Sequence, residues 1–330
     1  MGRLNAFPPF LAVLLRRPMN PSSPTSPVES RPASPGAGQL ATNADVLVTG
    51  ATGNVGGELV RLFGAAGLPV RAAVPEPEQA RFGDGVEPVA LDFRRPDTFA
   101  GALDGVRRVF LVRPPAIADV KRTLLPFLDA AERAGVEHVV FLSLQGAGRN
   151  PLVPHRTVER RLEASGLAWT FLRPSFFMQN LSGTHRADLR DRSELFVPAG
   201  RGRTAFVDAR DVALVAFLAL TEPGHERRAY TLTGAEALTY ADVAAVFTGV
   251  LGRPIRYADP SLAAFWRRMR AQGHPAAFVA VTSVLYTAGR FGLAGSVTDD
   301  LARLLGRPPR TLRTFAEDYR ALWEPGTAAA

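Results

Sequence analysis

The chain has 330 residues, 46% of them hydrophobic, which is enough for one large α/β domain or two small ones. It contains no cysteine, so disulfides, thiolate nucleophiles and cysteine-ligated metals are excluded, and we predict no metal site. The formal net charge of +8 comes from arginines scattered in pairs, whereas nucleic-acid recognition needs a concentrated basic stripe, so we expect no nucleic-acid partner.

The first 44 residues are rich in proline and serine and have little apolar surface to bury, a composition typical of disorder. Their one apolar run, AFPPFLAVLLRRP, is shorter than the roughly 20 residues of a membrane span and lacks the charge order and cleavage site of a signal peptide. We therefore predict a disordered tail over residues 1–44, no membrane span and a cytoplasmic location.

From Asp45 onward, short runs rich in β-branched residues alternate with helical patterns. Strands are predicted at 45–49, 69–74, 87–91, 107–112, 137–142 and 168–172, and the clearest helices at 54–66, 117–134 and 154–164. Six strands separated by helices predict an α/β fold with a Rossmann-type, doubly wound parallel sheet. Ligands of such a sheet bind beyond the carboxyl ends of its strands.

After residue 175 the pattern changes and helices dominate. They are predicted at 176–190, 209–220, 240–251, 260–271, 275–289, 298–305 and 311–322, with short strands near 203–207, 228–232 and 254–257. Asp208 is placed to cap the helix that follows it. We predict a Rossmann core over about residues 45–174 and a smaller, mostly helical substrate lobe over about residues 175–330.

The stretch VTGATGNVGG joins the first strand to the first helix and spaces three glycines by three residues. Gly50 permits a tight turn, Gly53 lets the backbone approach a pyrophosphate, and Gly56 lets the helix pack closely on the sheet. The helix N-terminus then offers free N–H groups to an anion. We predict that this loop binds the pyrophosphate of a dinucleotide; the alternative is a glycine-rich turn without a ligand.

The second strand and its end are expected to contact the adenosine ribose, where an acid suits the 2′-hydroxyl of NAD and an arginine suits the 2′-phosphate of NADP. This strand carries Arg71, and no acid follows until Glu76. The pattern favours NADP(H) with Arg71 on the phosphate, and NAD(H) stays open as the alternative cofactor. Asp92, after the third strand, is placed to hydrogen-bond the adenine amino group or to cap the helix that starts near Pro96.

Many enzymes of this fold use a tyrosine as acid or base with a lysine four residues later. All five tyrosines lie beyond the six predicted strands of the core, and none is followed by lysine at that spacing, because the only lysine is Lys121. Alcohol oxidation, dehydration and epimerisation by that dyad are therefore not expected.

Where the dyad would lie, after the fifth strand, the chain reads SLQGAGRNPLVPHRTVERRLEASG. His155 opens a helix one turn before Glu159, and we predict that His155 borders the nicotinamide and is the candidate acid. A solvent-facing pair of His155 and Glu159 is the alternative. Ser143 and Gln145 end the fifth strand, where we expect Ser143 to contact the cofactor and Gln145 the substrate, unless both simply complete the turn.

The stretch FLRPSFFMQNL ends the sixth strand. We predict that Phe176 and Phe177 begin the next helix beside the cleft, with Phe176 against the nicotinamide, and Phe177 and Asn180 toward the substrate. Aromatic rings at that place can stack on a flat substrate. The alternative is that both phenylalanines belong to the core between the two lobes.

Six blocks carry a resemblance to a known family, and they occur in that family's order between about Asp45 and Trp323. The blocks are VLVTGATGNVGGELVRLF, AGVEHVVFLSLQGA, HRTVERRLEASGLAWTFLRPSFFMQNL, FVDARDVA, YTLTGAEALTYADVA and VTDDLARLLGRPPRTLRTFAED. Together they resemble the NmrA-like, atypical short-chain dehydrogenase/reductase family, and within it the NAD(P)H:quinone oxidoreductase-like proteins.

The resemblance implies a Rossmann domain with a small C-terminal lobe that binds NADP(H) without the Tyr/Lys dyad. The implied residues of the phosphate loop are Gly50, Thr52, Gly53, Asn54 and Val55. Those implied to border the nicotinamide are Ser143, His155 and Phe176. The family commonly reads VRALVR at the second strand, and the last arginine grips the 2′-phosphate; this chain reads VRAAVP, with Pro75 in that place.

Two functions fit these features. The first is hydride transfer from NAD(P)H to a flat acceptor such as a quinone, which takes its proton from water and needs no dedicated acid. The second is a non-catalytic, NADP(H)-binding redox sensor of the NmrA type. We favour the reductase, with a small-molecule acceptor as its partner and a homodimer among the assemblies open to it. Isoflavone-type reduction is rejected because it relies on a lysine that this chain lacks at the site.

Overall fold

The computed structural model describes residues 44–324, and the predicted strands form its central sheet. These are β1 Val46–Val48, β2 Val70–Val74, β3 Val86–Ala90, β4 Arg108–Val112, β5 His138–Leu142 and β6 Ala168–Pro174. Further strands are β7 Phe176–Phe177, β8 Glu194–Phe196, β9 Arg203–Thr204, β10 Phe206–Val207, β11 Arg228–Leu232, β12 Leu238–Thr239 and β13 Arg256–Ala258. The tail predicted over residues 1–44 lies, except for Ala44, outside the described residues.

Helices cover the sheet and build the lobe. Those of the first half are α1 Asn54–Ala65, α2 Phe99–Leu103, α3 Leu124–Arg133 and α4 Pro154–Glu163. Those that follow are α5 Gln179–Ser182, α6 Arg186–Asp191, α7 Ala209–Thr221, α8 Tyr240–Leu251, α9 Leu262–Ala271, α10 Ala276–Arg290, α11 Asp300–Leu305 and α12 Leu312–Asp318. Short 3₁₀ turns lie at Pro77–Gln79, Pro96–Thr98, Ala147–Arg149 and Arg320–Trp323.

The central sheet has seven parallel strands in the order β11-β6-β5-β4-β1-β2-β3. This confirms the predicted Rossmann-type α/β fold. The strand order reverses at β1, where Val48 lies opposite Ala72 of β2 on one side and Phe110 of β4 on the other. Ligands of open α/β sheets bind at this switch point. The fold therefore places a cleft above the carboxyl ends of β1 and β4.

The two faces of the sheet are covered by different helices. On one face α1 packs against α7, with Phe63 and Phe217 edge to face at a centroid distance of 5.0 Å. On the other face lie α2, α3 and α4, where the Phe127 ring meets the edges of Phe93 and Phe99 at 5.2 and 5.4 Å. Both faces are thus dry, as a parallel sheet requires.

The core extends past residue 174, because α7 and β11 belong to it. α7 is buried from Ala209 to Leu220 and apolar all round from Val212 onward, which is typical of an interior helix. Asp208 caps it as predicted, accepting the backbone N–H of Arg210. The segment 209–232, predicted as part of the lobe, therefore completes the sheet and one of its helical layers.

The lobe has a separate core that includes the buried rings of Phe247, Phe265 and Phe315. The predicted helix over 176–190 is wrong: β7 pairs with β10, and only the short α5 and α6 follow. Pairing with a distant strand overrides the local helical pattern at this point. Within residues 44–324 we find no helix of the length and apolar character that crossing a membrane requires.

Candidate dinucleotide site

The phosphate loop runs from the end of β1 to the start of α1. Gly50 adopts a left-handed φ of 62°, which favours glycine, and its carbonyl accepts the Gly53 N–H at 2.9 Å. A Cβ on Gly56 would lie 2.1 Å from the same carbonyl oxygen, and a Cβ on Gly53 would lie 3.2 Å from it. The turn therefore requires glycine at positions 50 and 56, and Gly53 leaves the backbone open to approach.

The N-terminus of α1 is free to bind an anion. Its N-cap is Gly53, which has no side chain to cap the helix, and its first turn holds no acidic residue. Thr52 and Asn54 are exposed beside it, and Val55 is buried beneath the loop. Free N–H groups and the positive end of the helix dipole therefore face the cleft, which fits the pyrophosphate of a dinucleotide.

An open pocket of about 400 Å³ adjoins the phosphate loop at the end of β2. Its lining residues are Thr52, Val74, Pro75, Glu76, Gln79 and Ala80. In this fold the residues after the second strand contact the adenosine ribose, so the pocket is suited to the adenosine half of the dinucleotide. The lining offers one carboxylate and no cation to that half.

Arg71 does not line this pocket, and its predicted contact with a 2′-phosphate is wrong. Its Nε donates to Glu87 at 3.0 Å, and its Nη1 donates to the carbonyl of Asp104. Asp104 precedes β4, so it lies at the amino edge of the sheet, opposite the cleft. The alternation of side chains along the strand predicted that Arg71 points away from the core. It did not predict toward which edge of the sheet the guanidinium extends.

Asp92 follows β3 at the carboxyl edge of the sheet. Its Oδ1 accepts the N–H of Arg94 at 2.9 Å and closes a tight turn. It does not cap the short 3₁₀ helix at Pro96–Thr98, so the alternative role as a helix cap is not observed. Its contact with adenine stays a prediction, with Oδ2 as the available atom.

A buried network centred on Glu159 ties the end of β5 to α4. The Glu159 carboxylate is fully buried and accepts Ser143 Oγ at 2.8 Å, Arg173 at 2.8 and 3.0 Å, and Arg156 at 3.1 Å. Burial acts to raise the pKa of Glu159, but the hydrogen bonds from Arg173 and Ser143 outweigh it and hold that pKa below its usual value. The Ser143 hydroxyl is therefore already engaged, and its contact with the cofactor stays a prediction.

His155 lies in the first turn of α4 with its ring centroid 6.0 Å from that of Phe141. Its Nε2 accepts Arg113 Nε at 3.4 Å, which assigns the ring proton to Nδ1, and Nδ1 is buried with no partner among the described residues. Burial, and then the charge of Arg113, lower the pKa of His155 to about 4. The ring is therefore neutral at pH 7, and its role as an acid stays a prediction. The alternative pair with Glu159 is not formed, because that carboxylate is bound elsewhere.

The side chains of the predicted substrate residues contact different parts of the protein. Gln145 Nε2 donates to the carbonyl of Ser296 at 3.0 Å and so ties the lobe to the edge of the sheet. Phe176 is half-buried against the lobe core, and Phe177 packs on the core of the sheet. Asn180 is exposed on α5. Their contacts with cofactor and substrate stay predictions.

Arg113 is absent from the predicted site residues, although it directly follows β4 at the switch point. It contacts His155, and burial lowers the pKa of Arg113 below its usual value. The available signal was its place in the sequence, since it is the first residue after the apolar run VFLV of a central strand.

Comparison with known proteins agrees with this geometry. Residues 42–316 match the model of the NmrA-like family. An NAD(P)H azoreductase from Xenophilus azovorans is 38% identical over 282 residues, which cover 84% of this chain and 98% of that protein.

Two solved reductases share the fold. The triphenylmethane reductase of Citrobacter sp., complexed with NADP(H), superposes with a TM-score of 0.74 at 26% identity, covering 83% of this chain and 99% of that one. The NADPH-dependent quinone oxidoreductase QOR2 of Escherichia coli, complexed with NADPH, gives a TM-score of 0.73 at 26% identity, covering 81% and 97%. The resemblance inferred from the sequence blocks is confirmed. The chain belongs to the NmrA-like family.

Proposed function

We propose that the protein is an NAD(P)H-dependent reductase that delivers hydride to a flat, electron-poor acceptor such as a quinone or an azo compound. The observation that carries this proposal is the phosphate loop, whose glycines leave the uncapped N-terminus of α1 open at the switch point. The relative named NAD(P)H azoreductase and the reductases solved with NADP(H) or NADPH support chemistry of this class.

Different parts of the chain bind different parts of the dinucleotide. The backbone N–H groups at the start of α1 bind the pyrophosphate, and the pocket beside Pro75 receives the adenosine half. When bound, the dinucleotide supplies hydride from its nicotinamide ring. His155 offers a neutral Nδ1–H as a hydrogen-bond donor on the nicotinamide side, and Glu159 holds the helix that carries His155 in place.

This chemistry needs no acidic side chain, because the reduced oxygens of a quinone take protons from water. The tyrosines of the lobe do not suit proton donation either. The Tyr286 hydroxyl is buried and lies 2.6 Å from Nε2 of His185, and burial raises the pKa of Tyr286 far above its ordinary value. Burial also raises the pKa of Tyr240 well above its ordinary value.

Anaerobic oxidation of NADPH and NADH, followed at 340 nm with 1,4-naphthoquinone and methyl red as acceptors, tests this proposal. We expect saturable oxidation by the purified full chain and its loss in Gly53→Val, because a branched side chain would fill the approach to the backbone. Gly57→Ala is the matched control, since its Cβ would make only an ordinary contact of 3.4 Å with the backbone of Ala51.

A fluorescence titration with NADPH separates the two functions. Tight cofactor binding without oxidation by either acceptor would refute the reductase and indicate a redox sensor. If the wild type neither binds NADPH nor oxidises it, both functions are refuted. Oxidation that persists in Gly53→Val would mean that the loop does not hold the cofactor.

A further inference from the structure

Arg113 occupies the point where the phosphate loop meets the nicotinamide side of the cleft. It follows Val112, the last residue of β4, whose side chain lies 3.3 Å from the position of a Cβ on Gly50. On the other side it contacts His155 at the start of α4. Arg113 therefore follows the strand residue that touches the phosphate loop, and its guanidinium contacts the start of the helix that carries His155.

The hydrogen-bond acceptors of Arg113 are all neutral. Its Nε donates to His155 Nε2 at 3.4 Å, and its Nη1 donates to the carbonyls of Ile117 at 2.5 Å, Pro114 at 3.2 Å and Pro115 at 3.5 Å. Nη2 has no hydrogen-bond partner within residues 44–324. In the same part of the chain no carboxylate lies within ion-pair distance of Arg113. The guanidinium thus keeps a full charge and free donor capacity.

Two other partly buried arginines of this protein are paired with carboxylates, whereas Arg253, in the described part of the chain, donates only to Ser193 Oγ and to backbone carbonyls. Arg173 donates to the buried Glu159, and Arg210 donates to the buried Asp208 and to Asp318. Removing a cation from water without a counter-charge is unfavourable, and native structures generally supply a partner for it. Because burial alone acts on the guanidinium, the pKa of Arg113 is lowered, whereas the pKa of Arg210 is raised by its carboxylates despite burial.

The groups around Arg113 add donors and no acid. His155 Nδ1 is buried and lacks a partner among the described residues. Glu159, the carboxylate on the same helix as His155, is already saturated by Ser143, Arg156 and Arg173. The site therefore presents a positive charge and an N–H group that the protein does not satisfy, which favours a bound anion.

We propose that Arg113 binds an acidic group of the acceptor, a carboxylate or a sulfonate carried by its flat ring system. This rests on the proposed function, because that function brings the acceptor to the nicotinamide side of the cleft. A planar guanidinium binds such groups through paired hydrogen bonds. Arg113 thereby selects anionic acceptors over neutral ones of the same shape.

The first experiment compares acceptors that differ by one charge, 1,4-naphthoquinone-2-sulfonate and 1,4-naphthoquinone, in the wild type, Arg113→Met and Arg113→Lys. In Arg113→Met the KM for the sulfonate should rise about tenfold relative to the KM for the neutral quinone, with kcat changing less. Arg113→Lys should recover part of this ratio. The matched control is Arg122→Met, which removes one charge from a side chain that is 90% exposed, and its ratio should equal that of the wild type. An unchanged ratio in Arg113→Met would overturn the proposal.

The second experiment does not depend on turnover. Calorimetric titration of 2-naphthalenesulfonate into the protein saturated with NADP+ should show binding that weakens about tenfold in Arg113→Met, with the melting temperature checked for each variant. Sulfonate binding that depends on Arg113, in a protein that oxidises no cofactor, would support the anion site and refute the reductase. If Arg113→Met instead weakens NADPH itself about tenfold and leaves the sulfonate unchanged, Arg113 binds the pyrophosphate and the proposal fails.

Discussion

The substitution Pro75→Arg tests how the adenosine pocket discriminates between NADPH and NADH. Pro75 lines the pocket beside Glu76, and the lining contains no cation that could meet a 2′-phosphate. Arg71 is held at the opposite edge of the sheet by Glu87 and Asp104. We therefore expect the wild type to bind the two cofactors with dissociation constants within about tenfold of each other.

The gain from the new arginine follows from the geometry of the pocket. A charge-assisted hydrogen bond contributes about 1.5–3 kcal/mol, and the openness of this pocket to solvent favours the lower end of that range. About 1.5 kcal/mol corresponds to roughly tenfold tighter NADPH binding, while NADH should change little. Glu76 competes for the new guanidinium, so adding Glu76→Gln should raise the NADPH preference further.

Fluorescence titration of both cofactors measures this preference. Pro75→Ala is the control for the altered backbone and should leave the ratio of the two dissociation constants unchanged. Arg71→Ala should also leave that ratio unchanged. The reasoning is refuted if Pro75→Arg does not alter the ratio, or if Arg71→Ala selectively weakens NADPH.

Three further variants test the loop, the histidine and the buried carboxylate. Gly56→Ala would press its Cβ onto a loop carbonyl 2.1 Å away, so a titration should show NADPH binding at least tenfold weaker, whereas Gly57→Ala should bind normally. Burial lowers the pKa of His155 to about 4, so its contribution to stability is complete above its ordinary value of 6.5 and is lost as the pH falls toward 4; urea midpoints should decline from pH 7 to 5 and decline less in His155→Gln. Glu159→Gln leaves two arginines without their buried partner and should cost about 3–5 kcal/mol of unfolding free energy. The control Glu163→Gln, at a surface pair, should cost less than about 1 kcal/mol; equal losses would contradict the role of the buried network.

The sheet and the phosphate loop could be predicted because both depend on local sequence. Apolar runs such as VFLV in β4 need no information about their partners to be recognised as buried strands. Two of the three glycines of the loop, Gly50 and Gly56, are required by one short turn in which they approach each other closely. A strand, a turn and a helix in sequence define that site without reference to the rest of the fold.

The predicted contacts that the structure does not show depend on residues far apart in the sequence. Phe176 and Phe177 form a strand only because residues 206–207 pair with them. The direction of Arg71 is set by the Asp104 carbonyl, 33 residues away. The Glu159 carboxylate binds Arg173 of β6 and therefore does not pair with His155. The spacing of residues along one helix or strand shows which of them share a face. It does not show which residue of another element binds a charged side chain.

Hydride transfer from the cofactor is the central claim, and deuterium labelling at the nicotinamide C4 position tests it most directly. NADPH deuterated at C4 on one face and then on the other is oxidised anaerobically with 1,4-naphthoquinone, and the label in the recovered NADP+ is measured by mass spectrometry. The account predicts one NADPH consumed per quinone reduced, label lost from one face only, and slower turnover with that form. The account is contradicted if NADP+ retains the same amount of deuterium from both labelled forms, or if NADPH binds but no acceptor oxidises it.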